Sequence, residues 1–135
     1  MYEPNHDQVR GMMKTLRAER PIPGNSMQIT GGEPMLREDI GDLIKIMKEE
    51  GVEHIQMNTN GIRHAMDPEA GREVRMAGCN NLYLSFDGVT ARTNPKNHWE
   101  IPYALDTCRK TGTTVVFVPT AVSYTHLTLP TICSV

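Results

Sequence analysis

Hydrophobic and polar positions follow two alternating periods along the chain. Apolar residues recur at helical spacing in "NHDQVRGMMKTLRAER" and "REDIGDLIKIMKEEG", and more weakly in "DPEAGREVRMAG". The segment "HWEIPYALDTCRKTG" predicts a fourth helix, interrupted early by Pro102. Short apolar stretches between these segments predict strands that end near Thr30, Asn60, Asp87 and Thr120. This alternation predicts an α/β fold with parallel strands, either a barrel or a doubly wound sheet.

The two faces of the predicted strands differ in polarity, because successive side chains of a strand point to opposite sides. One set of positions is apolar: Ile29, Ile55, Met57, Leu82, Leu84 and Phe86. The other set is mostly polar: Gln28, Thr30, Gln56, Asn58, Asn60, Ser85 and Asp87. An ordinary parallel sheet is apolar on both faces. The pattern therefore indicates an open or partial barrel whose interior is polar near the carboxyl ends of the strands, where βα folds bind ligands.

The loop "GGEP", Gly31 to Pro34, follows the first strand of this series. Two glycines allow the backbone to approach a ligand closely, Glu33 adds a carboxylate, and Pro34 stiffens the exit. Such a loop suits a ligand that carries an ammonium group. The alternative is a tight turn with a glutamate on the surface, and a phosphate loop is disfavoured because no Gly-Lys-Ser/Thr follows.

Two further polar loops occupy the same point of the next units. "NTNG" contains Asn58, Asn60 and Gly61, and "SFDG" begins at Ser85 and contains Asp87. Each could be a simple Asn-Gly or Asp-Gly turn. Their recurrence after successive strands favours a shared site, in which Ser85 and Asp87 can bond ribose hydroxyls or the carboxylate and ammonium of an amino acid.

Composition narrows the class of protein. The chain has 135 residues, with 14 Lys and Arg against 16 Asp and Glu, and the net charge of −2 gives no electrostatic argument for nucleic acid. No apolar run is long enough for a transmembrane segment, and the polar start has no secretory core, which predicts a cytoplasmic location. Cys79, Cys108 and Cys133 have neither metal-ligand nor disulfide spacing, and no hydrolase-like set of nucleophile and base follows the strands.

The ordered set "ITGGEP", "NTNG" and "LSFDG" resembles the radical S-adenosylmethionine (radical SAM) superfamily. The resemblance implies an incomplete TIM-like (βα) barrel, about four parallel βα units of a (βα)6 core. It also implies S-adenosylmethionine, a 4Fe–4S cluster and an external reductant such as ferredoxin or flavodoxin. Such enzymes cleave S-adenosylmethionine reductively to a 5′-deoxyadenosyl radical that abstracts a substrate hydrogen. The cofactor-binding residues implied are Gly31, Gly32, Glu33, Pro34, Asn58, Asn60, Ser85 and Asp87.

A finer resemblance, to the archaeal-type tetraether lipid synthases and their relatives, covers about residues 2–120. It runs from "YEPNHDQVRGMMKTLRAERPIPGN" through "LYLSFDGVTARTNPKNHWEIPYALDTCRKTG", and "TNPKNHWEIP" is its most distinctive part. This resemblance implies carbon–carbon bond formation on a lipid substrate. Radical chemistry on a pterin or a peptide is the alternative substrate class.

The sequence departs from the superfamily in two respects. The cluster-binding CxxxCxxC motif is absent, which suggests that the chain starts just downstream of it, and the barrel stops after about four of six strands. The parent protein is therefore expected to be the enzyme. The chain alone is expected to be inactive, and a non-catalytic truncated product is the alternative.

The end of the chain has no counterpart in the family. "VSYTHLTLPT", Val122 to Thr131, back-translates to DNA that resembles a transposon-based sequencing adapter. The sequence therefore predicts a partial core domain over residues 1–121 and a non-native tail over residues 122–135. The alternative is a genuine β-rich tail, because Val, Tyr and Thr favour strands.

Overall fold

Strand and helix alternate through the part of the chain that the computed structural model describes, residues 3–86 and 92–118. In chain order the elements are α1 (His6–Arg17), β1 (Ser26–Ile29), a 3₁₀ helix (Pro34–Leu36), α2 (Ile40–Glu49), β2 (His54–Thr59), α3 (Ile62–Met66), α4 (Pro68–Ala77), β3 (Asn81–Ser85), α5 (Ile101–Thr111) and β4 (Thr114–Val118). None of the helices within these ranges is long and apolar enough to cross a membrane.

The four strands form one parallel sheet in the order β1-β2-β3-β4, as expected for consecutive βα units. The register places Gln28, Gln56, Asn81 and Thr114 in one row across the sheet. This architecture confirms the predicted fold class, an incomplete (βα) barrel of four units.

The core lies on one face of the sheet, under the helices. Ile55, Met57, Leu82 and Leu84 are fully buried there, and each contributes about 1.5–3 kcal/mol by leaving water. Gln56 and Asn58, which alternate with them on β2, are half-buried on the opposite face. The predicted difference between the two faces is therefore confirmed for β2 and β3.

The edge strands are less buried than the two central ones. On β1, Ile29 is half-buried, and on β4, Val116, Phe117 and Val118 keep 39, 44 and 40% of their surface exposed. The most buried part of the sheet is thus the β2–β3 pair, whose carboxyl ends precede two of the predicted polar loops.

The sequence determines the helix ends by local hydrogen bonds. Asn5 and Gln8 form a reciprocal capping box at the start of α1. Gly51 ends α2 with φ +95°, and Val52 N–H donates to Met47 O at 3.1 Å, which is the Schellman geometry.

Two details differ from the expectation. The short helix α3 was not predicted, because five residues hold too few apolar positions to show a period. Helix α5 begins at Ile101, so that Pro102 lies in its first turn, where the missing N–H breaks no hydrogen bond. Pro102 therefore marks the start of the helix and does not interrupt it.

Candidate functional site

The candidate site lies at the carboxyl edge of the sheet. The GGEP loop follows β1, Asn60 and Gly61 follow β2, and Ser85 ends β3. Because the strands are parallel, these tips share one edge. The structure thus places the GGEP loop, the NTNG loop and the start of SFDG, at Ser85, at neighbouring strand ends, while Asp87 lies outside the described residues.

Glu33 connects the GGEP loop to the tip of β2. One carboxylate oxygen accepts hydrogen bonds from Met35 N–H at 3.0 Å and from the hydroxyl of Thr59 at 2.6 Å. The other oxygen accepts from Asn60 N–H at 2.8 Å. The sequence suggested Glu33 as an acceptor for a ligand, but three of its acceptor positions are used within the protein.

Asn60 is held on both sides of its own backbone. Its N–H donates to Glu33, and its carbonyl accepts from the side-chain amide of Asn97. Its side-chain oxygen accepts from Ile62 N–H at 3.0 Å, which starts the turn into α3. Asn60 therefore determines the shape of the loop.

Asn97 connects the tip of β2 to the tip of β3. The same Nδ2 group that bonds Asn60 also donates to the carbonyl of Ser85 at 3.0 Å. Its side-chain oxygen accepts from Asn94, and its backbone carbonyl accepts from Glu100 N–H and Ile101 N–H at the start of α5. Asn94 and Asn97 are 0 and 1% exposed.

Sequence reasoning missed Asn94 and Asn97. "TNPKN" is polar and precedes a helix, which is typical of a surface loop. Two asparagines three residues apart do permit side-chain to backbone bonding, and Asn97 N–H donates to Asn94 Oδ1 at 3.3 Å. Nothing in the sequence indicates that the pair is buried between strand tips.

Asn58 and Ser85 lie on the polar face of the sheet, opposite the helices. Asn58 Oδ1 accepts from Gln28 Nε2 at 3.1 Å, a cross-strand bond that turns the NH₂ group of Asn58 away from Gln28. Ser85 is half-buried at the end of β3. These side chains can offer an amide donor and a hydroxyl to a ligand above the strand tips.

Gly31 and Gly32 are exposed at the rim of a groove beside β1. Gly31 has φ +135°, a conformation that residues with a Cβ avoid. The groove has a volume of about 670 Å³, within the usual range for small-molecule sites, and its lining includes the whole GGEP loop and Gln28. Asn58, Asn60 and Ser85 do not line this groove, so the candidate residues fall on two connected surfaces that Gln28 joins.

An ion pair lies on the flank of the same groove. Arg37 donates to Asp39 at 2.5 and 3.1 Å, and His6 Nε2 lies 2.9 Å from the same carboxylate. The bonds from Arg37, and secondarily from His6, lower the pKa of Asp39 to about 2. Asp39 is thus a permanent anion, paired within the protein.

The cysteines within the described ranges do not fit an iron–sulfur cluster. Cys79 and Cys108 are buried, and burial raises the pKa of both thiols to about 11, whereas cluster ligands are thiolates. No group of three or more His, Cys, Asp or Glu side chains able to hold a metal occurs in residues 3–86 and 92–118. These residues supply no cluster site.

A parallel βα sheet with polar strand tips defines a class of α/β barrel proteins that bind small molecules at the carboxyl edge. The family model described as the radical SAM superfamily matches residues 1–131. The chain therefore belongs to the radical SAM superfamily, and the predicted superfamily is confirmed. The match includes part of the segment 122–135, and the predicted adapter origin of that segment stays a prediction.

Three curated relatives add detail. The chain is 36% identical to a 7,8-dihydro-6-hydroxymethylpterin dimethyltransferase of Methanocaldococcus jannaschii over 128 residues, 90% of this chain and 25% of that protein. It is 32% identical over 72 residues to a probable GTP 3′,8-cyclase of Saccharolobus solfataricus, 53% of this chain and 22% of the relative. It is 39% identical over 64 residues to a GTP 3′,8-cyclase of Limosilactobacillus fermentum, which is 47% of this chain and 18% of that protein.

The chain spans about a quarter or less of the length of these relatives. Their names refer to a pterin and to GTP, so they give no support to the predicted tetraether lipid synthase and its lipid substrate. These comparisons establish the superfamily, and they do not support the finer assignment to the lipid synthases.

Proposed function

We propose that this chain is the part of a radical SAM enzyme that binds S-adenosylmethionine at the tips of β1, β2 and β3. The observation that carries the proposal is the joining of these three tips by Glu33 and Asn97 into one polar edge. A cofactor with separate amino-acid and ribose parts needs contacts from several neighbouring strands, and this edge offers them.

Each candidate residue then has a distinct role. The backbone of Gly31 and Gly32 approaches the methionyl ammonium group, while Glu33 and Pro34 hold the loop in place. Asn58 donates its NH₂ group to the methionyl carboxylate or a ribose oxygen, and Ser85 bonds the ribose. Asn60 shapes the second tip, and Asp87 completes the ribose contacts.

When bound, S-adenosylmethionine supplies the 5′-deoxyadenosyl group for hydrogen abstraction from the substrate. A 4Fe–4S cluster served by an external reductant such as ferredoxin or flavodoxin would supply the electron, and residues outside the described ranges would have to hold that cluster. The protein's contribution is to hold the cofactor at the polar edge. The cytoplasmic location stays a prediction.

A pterin is the substrate class that we propose for the parent enzyme. The relatives are named for a pterin and for GTP, and pterin and guanine share a 2-amino-4-oxopyrimidine ring. The polar face of the sheet carries amides, on Gln28, Gln56, Asn58 and Asn81, that both donate and accept as such a ring requires.

Titration calorimetry with S-adenosylmethionine tests the cofactor site in the chain itself. We expect saturable binding that is several-fold weaker in Ser85→Ala, because one hydrogen bond to the ribose is lost. Ser26→Ala is the matched control, since Ser26 is the first residue of β1 and lies at the edge of the sheet opposite to the strand tips. Absence of saturable binding, or equal loss in both variants, would contradict the proposal.

A second candidate is a non-catalytic product that shares the fold. It is favoured by the lack of cluster ligands among the described residues. Calorimetry on the chain distinguishes the two, because a non-catalytic product is expected to bind S-adenosylmethionine weakly or not at all. Anaerobic reconstitution of the parent protein with iron and sulfide, followed by assay for 5′-deoxyadenosine, tests the parent enzyme. Formation that increases with a dihydropterin, and not with a lipid or a peptide, supports the pterin proposal.

A further inference from the structure

We propose that Asn97 is a positioning residue that sets the distance between the tips of β2 and β3. Its single NH₂ group bonds the carbonyl of Asn60 on one tip and the carbonyl of Ser85 on the other. The proposal rests on the proposed function, because the two tips carry candidate contacts for S-adenosylmethionine.

The geometry around Asn97 leaves little freedom to its side chain. It is 1% exposed, and its amide oxygen is held by Asn94, which is itself fully buried. The carbonyl of Asn94 in turn bonds His98 Nδ1 at 2.8 Å. A buried amide with both ends bonded does not rotate at low cost, so the two carbonyls it bonds are held at a fixed separation.

Asn97 also extends the connection that Glu33 begins. Glu33 bonds the N–H of Asn60, and Asn97 bonds the carbonyl of the same residue. The GGEP loop, the β2 tip and the β3 tip are therefore linked in series by two side chains that need not touch the ligand. Alignment of contacts from separate strands determines affinity for a ligand that spans them.

Asn80 provides a matched control on the same two strands. Its side-chain oxygen accepts from Ile55 N–H at 2.9 Å, so it joins β2 and the start of β3 at the end remote from the candidate site. Asn97→Ala removes the two side-chain hydrogen bonds that join the tips of β2 and β3, and Asn80→Ala removes one side-chain hydrogen bond at the other end of these strands. Only the first substitution acts at the strand tips.

Two measurements on the full chain test the proposal. In hydrogen exchange without ligand, Asn97→Ala should accelerate exchange roughly tenfold at the amides of Asn60 and Phe86, and Asn80→Ala should do so at Ile55. In calorimetry, Asn97→Ala should weaken S-adenosylmethionine binding roughly tenfold or more, with Asn80→Ala unchanged. Asn97→Ser has a hydroxyl that can donate one hydrogen bond, so its affinity for S-adenosylmethionine should lie between that of the wild type and that of Asn97→Ala. This variant remains informative if Asn97→Ala does not fold.

The outcomes separate this proposal from the proposed function. If the wild-type chain binds S-adenosylmethionine and both Asn97 variants bind as tightly, the positioning role is wrong and the cofactor site stands. Equal losses in the Asn97 and Asn80 variants would also overturn it, because the effect would be general destabilisation. If the wild-type chain does not bind, the proposed function fails, and this proposal fails with it.

Discussion

Replacement of Glu33 by glutamine is the sharpest test of how the GGEP loop works. The carboxylate accepts three hydrogen bonds, from Met35 N–H, the Thr59 hydroxyl and Asn60 N–H. A glutamine keeps one acceptor oxygen but turns an NH₂ group towards a donor. In the arrangement seen here, that donor is Asn60 N–H, which would lose its partner.

The expected loss follows from these contacts. A hydrogen bond to a charged group contributes about 1.5–3 kcal/mol, and an unsatisfied buried N–H costs a similar amount. Since Glu33 is half-buried and hydrogen-bond energies do not add, we expect Glu33→Gln to lower the free energy of unfolding by about 2 kcal/mol. With a urea slope of about 2 kcal/mol/M, the midpoint should fall by about 1 M.

Urea unfolding followed by circular dichroism measures this change. Glu38→Gln is the control, because Glu38 is exposed five residues away and should change stability by less than about 0.5 kcal/mol. If Glu33→Gln matched the control in stability and lost only S-adenosylmethionine affinity, the carboxylate would be a ligand contact, and the structural role argued for it would be refuted.

Three further predictions concern stability and thiol chemistry. Burial lowers the pKa of His64 to about 4, below its unfolded value. Unfolding experiments should therefore show stability that is complete above about pH 6.5 and falls, by on the order of 3 kcal/mol, as the pH drops towards 4; a flat profile would contradict this. Gly61→Ala should destabilise by about 2 kcal/mol or more, since φ is +79° and a Cβ would lie 2.6 Å from a leucine side chain. The control Gly11→Ala, in open space within α1, should stabilise the protein by about 0.5–1 kcal/mol in the same assay. If both substitutions changed the free energy of unfolding equally, the positive φ and the close contact at Gly61 would not explain its effect. Cys79 and Cys108 should resist Ellman's reagent at pH 8 until urea is added, because both thiols are buried with a raised pKa; rapid native labelling of either would show that the packing is wrong.

Much of the fold could be predicted because its signals are local. The helical period around Ile40, Leu43, Ile44 and Met47 requires a buried face, and these four residues are buried. The strand alternation of β2 and β3 gave the buried and the polar face correctly. The family motifs identified which strand tips are adjacent, because parallel βα units place successive loops at one edge.

The contacts within the site could not be predicted in the same way. From the sequence, Glu33 is a carboxylate in a loop. Its hydrogen bonds with Thr59 and Asn60 depend on the spacing of two strands, which the sequence does not show. Asn97 lies 37 residues from Asn60 in the chain, and no periodic pattern relates the two. Polar side chains buried between loops leave no hydrophobic signal, so their partners emerge from the tertiary structure alone.

The unequal burial of the strands has a consequence for native-state fluctuations. Opening of β4 exposes less additional apolar surface than separation of β2 from β3, because three of its five residues are already about two-fifths exposed. Transient opening of the sheet should therefore begin at β4, whereas separation of β2 from β3 would expose the most deeply buried residues of the core. Two of the three strand tips that would contact the cofactor, those of β2 and β3, belong to the slowest-opening part of the sheet, and fraying of β4 leaves the alignment of these two tips intact.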